Sequence, residues 1–508
     1  MARGSNEPCF VVTRRIYVND EQAAFLDQKM DICNKIYNTA VKHYKDIVAS
    51  LYEDPRYKEA LEALRASKDE EEGKVLMKAI GALMTEYKLN EYDIHAYVGY
   101  QKKQAFEKGV GINIVQKVGS ALYKAVKKAV FSETEIHYRK YGQTDTFEEK
   151  SSKTGIVLDK ENNKVTILKK VFLLKPVRKT DLYMQEAMTR PVRYCRVVRK
   201  PFKNGYHYFL QIVLSGEAPK KIELGKGKCG TDEGVSTVAY YNDEHADFQV
   251  LAPNIEKYEK MVKQAAQKHE RRLRMANPDN YNEDGTVKKG VKKWKRTKGA
   301  KKALMELKHC YRLKSEHIKQ SHGRLTNIIV SQCDTIVKEP MDFRALARRS
   351  KSAPQRSDKE TVITNKNGEQ KKIRKFKRKK RFGKSINRRA PGLFNQMLRD
   401  KTKRYGGDVV DVDKYQFKAS QYDHVSRKPK KPSLSTRTKR IGKRLVQRDL
   451  YSSFLLYHAQ DSINIDFDAC KHTFRQFLKR QDSVVESIKQ SGDKTKNFGL
   501  SDFLKQSS

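Results

Sequence analysis

Residues 228–243 read KCGTDEGVSTVAYYND. Their β-branched and aromatic side chains, ended by Asn-Asp, predict a buried strand. The acid inside it, Asp232, stands between Gly230 and Gly234. Glycine in a strand marks a place where a second backbone, or a phosphate, approaches closely. Two later stretches share this logic. In 334–340, DTIVKEP, an apolar strand ends on Glu339 and Pro340 stops the ladder. In 447–456, QRDLYSSFLL, Asp449 opens an apolar helical run whose serines are small enough to pack on a sheet. Taken singly, these acids are as readily a turn residue, a surface acid and an N-cap. Together they predict a rigid acidic cluster at the edges of buried elements.

Outward from that core, 215–227 reads as a boundary, with Pro219 and glycines among lysines. Upstream of it, 10–18 predicts a strand, and Asn19-Asp20 the cap of a long helix. Phe25, Ile32, Ile36, Ala40, Tyr44 and Val48 give that helix one apolar face. Further helical periods lie near 75–87 and 115–131. Around 154 the period changes to two, and 155–174 and 194–214 read as strands. Lys203-Asn204-Gly205 is a hairpin signal between them. Downstream, a long basic helical region spans 256–330, interrupted near 285–290. Another helix is expected over 390–405, then a strand at GDVVDVD, and the last 15 or so residues read as a frayed tail.

Lys and Arg number 107 against 61 Asp and Glu, a net charge of +46. Such self-repulsion gains nothing in stability, so a polyanion is the natural partner. Lys and Arg on phosphates release counterions, which supplies most sequence-independent affinity for nucleic acid. The charge is spread along the chain rather than along one amphipathic helix, which disfavours a membrane surface. No apolar run approaches a membrane span and no signal-peptide core opens the chain, so a soluble, intracellular (bacterial cytoplasmic) protein is expected. The seven cysteines contain no C-x-x-C pair, against a disulfide scaffold or a zinc finger.

Hard carboxylate oxygens suit Mg²⁺, which keeps several waters and needs few protein ligands. Two such ions activate a water and stabilise the leaving oxygen of a phosphodiester. Between the second and third acids, 371–381 reads KKIRKFKRKKR, nine basic residues of eleven. Charge this dense predicts an unpacked loop ordered by nucleic acid. Lys375, Phe376, Lys377, Arg378, Lys379, Lys380 and Arg381 are its candidate contacts, phosphate for the bases and stacking for the ring. A merely solvated charge run is the plain alternative.

From Gly230 onward the chain resembles the RuvC nuclease of TnpB proteins and compact type V CRISPR effectors. The resemblance rests on Gly230-Thr231-Asp232-Glu233-Gly234, on Ile336-Val337-Lys338-Glu339-Pro340 and on Gln447-Arg448-Asp449-Leu450-Tyr451-Ser452-Ser453. It implies an α+β multidomain protein. A wedge β-barrel would occupy 1–20 and 150–220, a helical recognition insert 21–149, and an RNase H-like RuvC domain 221–508. It further implies a guide RNA, a double-stranded target DNA with its displaced strand, and hydrolysis at two Mg²⁺ held by Asp232, Glu339 and Asp449.

The chain departs from the pattern in three places. The family's paired cysteines are missing, with none from 334 to 469, so a zinc-free basic insert is expected at about 415–447, with His424 as a surface histidine. Ile465-Asp466-Phe467-Asp468-Ala469 offers Asp466 as an alternative third acid. Glu233 stands where the family has an apolar or neutral residue. A catalytically silent guided DNA binder and a strand-transfer recombinase of the same fold are the rival readings.

Overall fold

The computed structural model describes residues 7–67, 69–105, 109–140, 142–291, 293–348, 355–364, 370–377, 383–430, 433, 436–491, 498–500 and 503. Of 355–377 and 384, little beyond the backbone is described. The chain is mixed α/β and divides into two units, Met1–Pro219 and Lys220–Ser508. Among the described residues, no helix is long and apolar enough to cross a membrane.

The first unit begins with β1 (Cys9–Tyr17) and the helices α1 (Asp20–Glu53), α2 (Pro55–Ala66), α3 (Glu70–Glu86), α4 (Glu91–Ala105) and α5 (Ile112–Ser132). Strands β2 (Thr146–Glu148), β3 (Ile156–Asp159), β4 (Lys164–Ile167) and β5 (Lys170–Leu174) follow. Then come α6 (Leu182–Thr189), β6 (Val192–Phe202) and β7 (Gly205–Ser215). Asn19 starts α1 through a reciprocal capping box with Gln22, which satisfies two otherwise unpaired N–H groups. Leu26, Met30, Cys33, Ile36, Tyr37, Ala40, Tyr44 and Val48 form its buried stripe. The strands make one antiparallel sheet, ordered β2-β6-β7-β1-β5-β4-β3, with β3 curling round towards β6. Lys203 and Asn204 make the β6–β7 turn, and Gly205 takes a φ of 143° that only glycine adopts freely. The helical segment is shorter than the expected 21–149, because β2 pairs with β6 and belongs to the sheet.

The second unit opens with the meander β8 (Lys228–Glu233), β9 (Thr237–Tyr241) and β10 (Ala246–Val250). The single strand expected over 228–243 is thus a hairpin, turned where the Gly234 N–H donates to Thr237 O. Helices α7 (Ile255–Ala276) and α8 (Lys298–Val330) precede β11 (Thr335–Lys338) and α9 (Phe343–Ala347). The next elements are β12 (Gln355–Thr364), β13 (Gln370–Lys377), α10 (Gly383–Arg389), α11 (Pro391–Arg404) and β14 (Asp408–Asp411). The unit closes with β15 (Thr438–Ile441), β16 (Arg444–Gln447), α12 (Arg448–Tyr457) and α13 (Phe467–Gln490).

Its central sheet runs β10-β9-β8-β11-β14, antiparallel up to β8 and parallel from β8 through β11 to β14. One face, with Cys229, Val238, Tyr240 and Ile336, packs on Leu325 and Ile329 of α8 and Phe394 and Leu398 of α11. The other, with Ala239, Tyr241 and Val337, packs on Leu450, Phe454 and Phe477 of α12 and α13. Helices therefore cover both faces, as a parallel sheet requires. Two expectations are corrected here. The basic stretch is not an unpacked loop up to Lys377, because β13 pairs with β12, and a ladder needs no side-chain burial. Phe498, Leu500 and Phe503 are buried in the α12–α13 core, not in a frayed tail. The 415–447 insert is anchored by the buried Phe417, Ala419, Ile441 and Val446.

Candidate active site

Strands β8 and β11 are parallel neighbours, and the chain departs from them in opposite directions, through β9 and β10 on one side and β14 on the other. Sheets of this kind bind ligands at the carboxyl ends of the strands flanking such a reversal. Asp232 is the penultimate residue of β8, and Glu339 directly follows β11. Strand alternation puts both on the face that α12 covers, with Gly230 and Val337. Asp449 lies in the first turn of α12, where Gln447 caps the helix through the Leu450 N–H. The glycine at 230 has a definite reason. A Cβ there would come within 2.1 Å of Ser453 O and 2.3 Å of Tyr457 N, so the close approach is to another backbone.

Asp232 feels the other two acids. Its pKa is raised well above the ordinary carboxylate range, first through burial and then through the charges of Asp449 and Glu339, with Arg448 opposing. Burial also raises Glu339, which accepts a 2.8 Å hydrogen bond from the Ala419 N–H. Asp449 accepts from Arg448 at 3.1 Å and pairs with Arg437 at 3.5 Å. Among the described residues, no three His, Cys, Asp or Glu side chains converge closely enough to hold one metal ion. Two guanidiniums hold Asp449 and a peptide N–H holds Glu339. The donors are nonetheless hard carboxylate oxygens, the chemistry Mg²⁺ requires.

Asp466 sits elsewhere. It caps α13 by accepting from the Ala469 N–H at 2.8 Å, and that bond lowers its pKa. Of the candidate nucleic-acid contacts, Arg378, Lys379, Lys380 and Arg381 and the side chains of Lys375, Phe376 and Lys377 lie outside the described residues. His424 is not on the surface as expected. It is buried, with its Nδ1 2.7 Å from the Tyr451 hydroxyl and its backbone N–H donating to the same oxygen at 3.0 Å. Sequence reasoning passed over Arg437, the Ala419 N–H and Lys338. The one available signal was a lysine inside the apolar strand TIVK, 105 residues from an odd glutamate at 233.

Residues 12–50 match the family model HTH_OrfB_IS605, described as a helix-turn-helix domain. In this structure the matched residues form most of β1 and of the unbroken helix α1. No curated protein matches the chain. Among solved structures it is similar to a Cas12f1–sgRNA–target DNA complex, at 11% identity over 89% of this chain and 99% of that one, TM-score 0.39. A CRISPR-Cas12f ternary complex matches at 11% identity over 88% and 83%, TM-score 0.27. A Cas12i1 R-loop complex before target DNA cleavage matches at 10% over 91% and 65%, TM-score 0.26.

Proposed function

We propose that this chain is an RNA-guided DNA endonuclease whose second unit is an RNase H-like RuvC domain. The observation that carries the reading is electrostatic. In a chain of net charge +46, three carboxylates share one face of the sheet, where burial and then the charges of Asp449 and Glu339 raise Asp232. Carboxylates held against their own repulsion in a polycationic protein are poised for a cation and an anionic substrate. The match of residues 12–50 to HTH_OrfB_IS605 supports the same reading. The first unit would then comprise the wedge sheet and the recognition helices, and a guide RNA would choose the DNA by base pairing.

Asp232, Glu339 and Asp449 would hold Mg²⁺, which supplies an activated water and neutralises charge on the phosphodiester. Arg448 and Arg437 fix the direction of the Asp449 carboxylate. The Ala419 N–H does the same for Glu339. Lysines and arginines elsewhere bind phosphates without regard to sequence.

A catalytically silent guided binder is the second reading, favoured by the lack of three converging acids among the described residues. Incubating the RNA-loaded protein with matching DNA and Mg²⁺ separates the two. The nuclease reading predicts cleavage that Asp232→Ala abolishes while DNA binding persists, and the silent reading predicts binding alone.

A further inference from the structure

On the face of the sheet opposite the acids, Glu233 and Lys338 form an ion pair between neighbouring parallel strands. The Lys338 side chain has no exposure and that of Glu233 only 1%. Lys338 also donates to Asn395 Oδ1 of α11 at 2.8 Å. Asn395 Oδ1 accepts from Arg399 at 3.0 Å, and Arg399 pairs with Asp411 of β14. One polar chain thus runs from β8 through β11 to β14, across the three parallel strands. Its first two members directly neighbour candidate metal ligands: Glu233 follows Asp232, and Lys338 precedes Glu339.

As a source of stability this is a poor arrangement. A buried ion pair is commonly no better than two packed apolar side chains of similar volume, because both charges lose their water. Here the second carboxylate oxygen of Glu233 is buried with no hydrogen-bond partner. Leaving a buried acceptor unmade costs further. An apolar pair would suit the surrounding Cys229, Ile336, Phe394 and Leu398 well. What an apolar pair lacks is a directional tie. The backbone ladder spaces β8 and β11 as far as Thr231 and Lys338. The ion pair adds a side-chain tie at the strand ends, and Asn395 joins it to α11.

We propose that Glu233 and Lys338 are positioning residues that fix the ends of β8 and β11, from which Asp232 and Glu339 project on the opposite face. The inference rests on the active-site reading above and goes beyond it. Neither residue touches metal or substrate; both act through the backbone of the next residue. Removal of outer partners of this kind weakens metal affinity about 10- to 100-fold.

The test uses the full chain, stripped of nucleic acid by high salt, with Mn²⁺ as probe followed by electron paramagnetic resonance. The key variant is the double substitution Glu233→Leu with Lys338→Met, which keeps volume and removes both charges. The expected result is a melting temperature at or above wild type with Mn²⁺ binding weaker by about 10-fold or more. Wild-type Mn²⁺ affinity in the folded double variant overturns the inference. Should the double variant not fold, Glu233→Gln decides, since it keeps the side chain's shape but removes the charge that holds Lys338. Weaker Mn²⁺ binding at an unchanged melting temperature supports the inference, and unchanged binding overturns it. Asp232→Asn is the control. If it leaves wild-type Mn²⁺ binding intact, the active-site reading itself has failed, and the inference falls with it for a reason the control identifies.

Discussion

A Cβ on Gly230 would stand 2.1 Å from the carbonyl oxygen of Ser453, so β8 and α12 meet backbone to backbone. The contact lies one helical turn below Asp449 and two strand residues before Asp232. Both steps are about 6 Å, so this contact sets the distance between the two acids. Gly230→Ala should force the elements apart and destabilise the second unit by about 3 kcal/mol, as overpacking against unyielding atoms does. Urea denaturation measures that loss, and cleavage should fall with it.

The two aspartates proposed for the third position now have separate roles. Asp449→Ala should lower cleavage by roughly 10³-fold, the scale for groups acting directly on the transition state. Asp466→Ala removes only the cap of α13 and should cost about 1 kcal/mol of stability with cleavage retained. Cleavage rates and melting curves for both variants check the contrast.

Neutralising Asp232 should stabilise the fold. Its folded pKa lies above the unfolded value, so the folded state binds the extra proton and stability falls as pH rises between the two. Below about pH 4 the unfolded carboxyl is protonated too, and the penalty vanishes. Asp232→Asn should therefore exceed wild type by about 1 kcal/mol at pH 7 in chelator, and match it near pH 3. Adding Mg²⁺ to wild type should narrow the gap. For the same reason, cleavage should decline on acidification before ordinary carboxylates titrate.

Within the cysteine-free insert, His424 is held by hydrogen bonds. The Tyr451 hydroxyl serves both the N–H and the ring of His424. Tyr451→Phe leaves those groups buried without that oxygen and should cost about 1–3 kcal/mol. Elemental analysis should find less than one zinc per chain, and zinc-selective chelators should not change activity.

The features readable from sequence were those with a local cause. Asn19 is a cap because its side chain reaches Gln22, three residues away. Asp232 and Glu339 stood out because a glycine, a proline and β-branched neighbours frame them within a few residues. What escaped notice depends on partners far along the chain. His424 is buried by Tyr451, 27 residues on, and Phe498 by Phe248 and its neighbours. Lys338 finds Glu233 across 105 residues, and no local pattern announces such a pair. Charge density misled at β13, where counting lysines hid a ladder made by the backbone.

The central claim is guided cleavage at the Asp232 site, and one experiment reads it directly. The RNA that co-purifies with the full chain is sequenced, and DNA matching its variable end is offered with Mg²⁺. The account predicts a discrete structured RNA and cleavage of the matching DNA alone. It also predicts that Asp232→Ala binds this DNA without cutting it. A heterogeneous RNA, or cutting that ignores complementarity and survives Asp232→Ala, would contradict it.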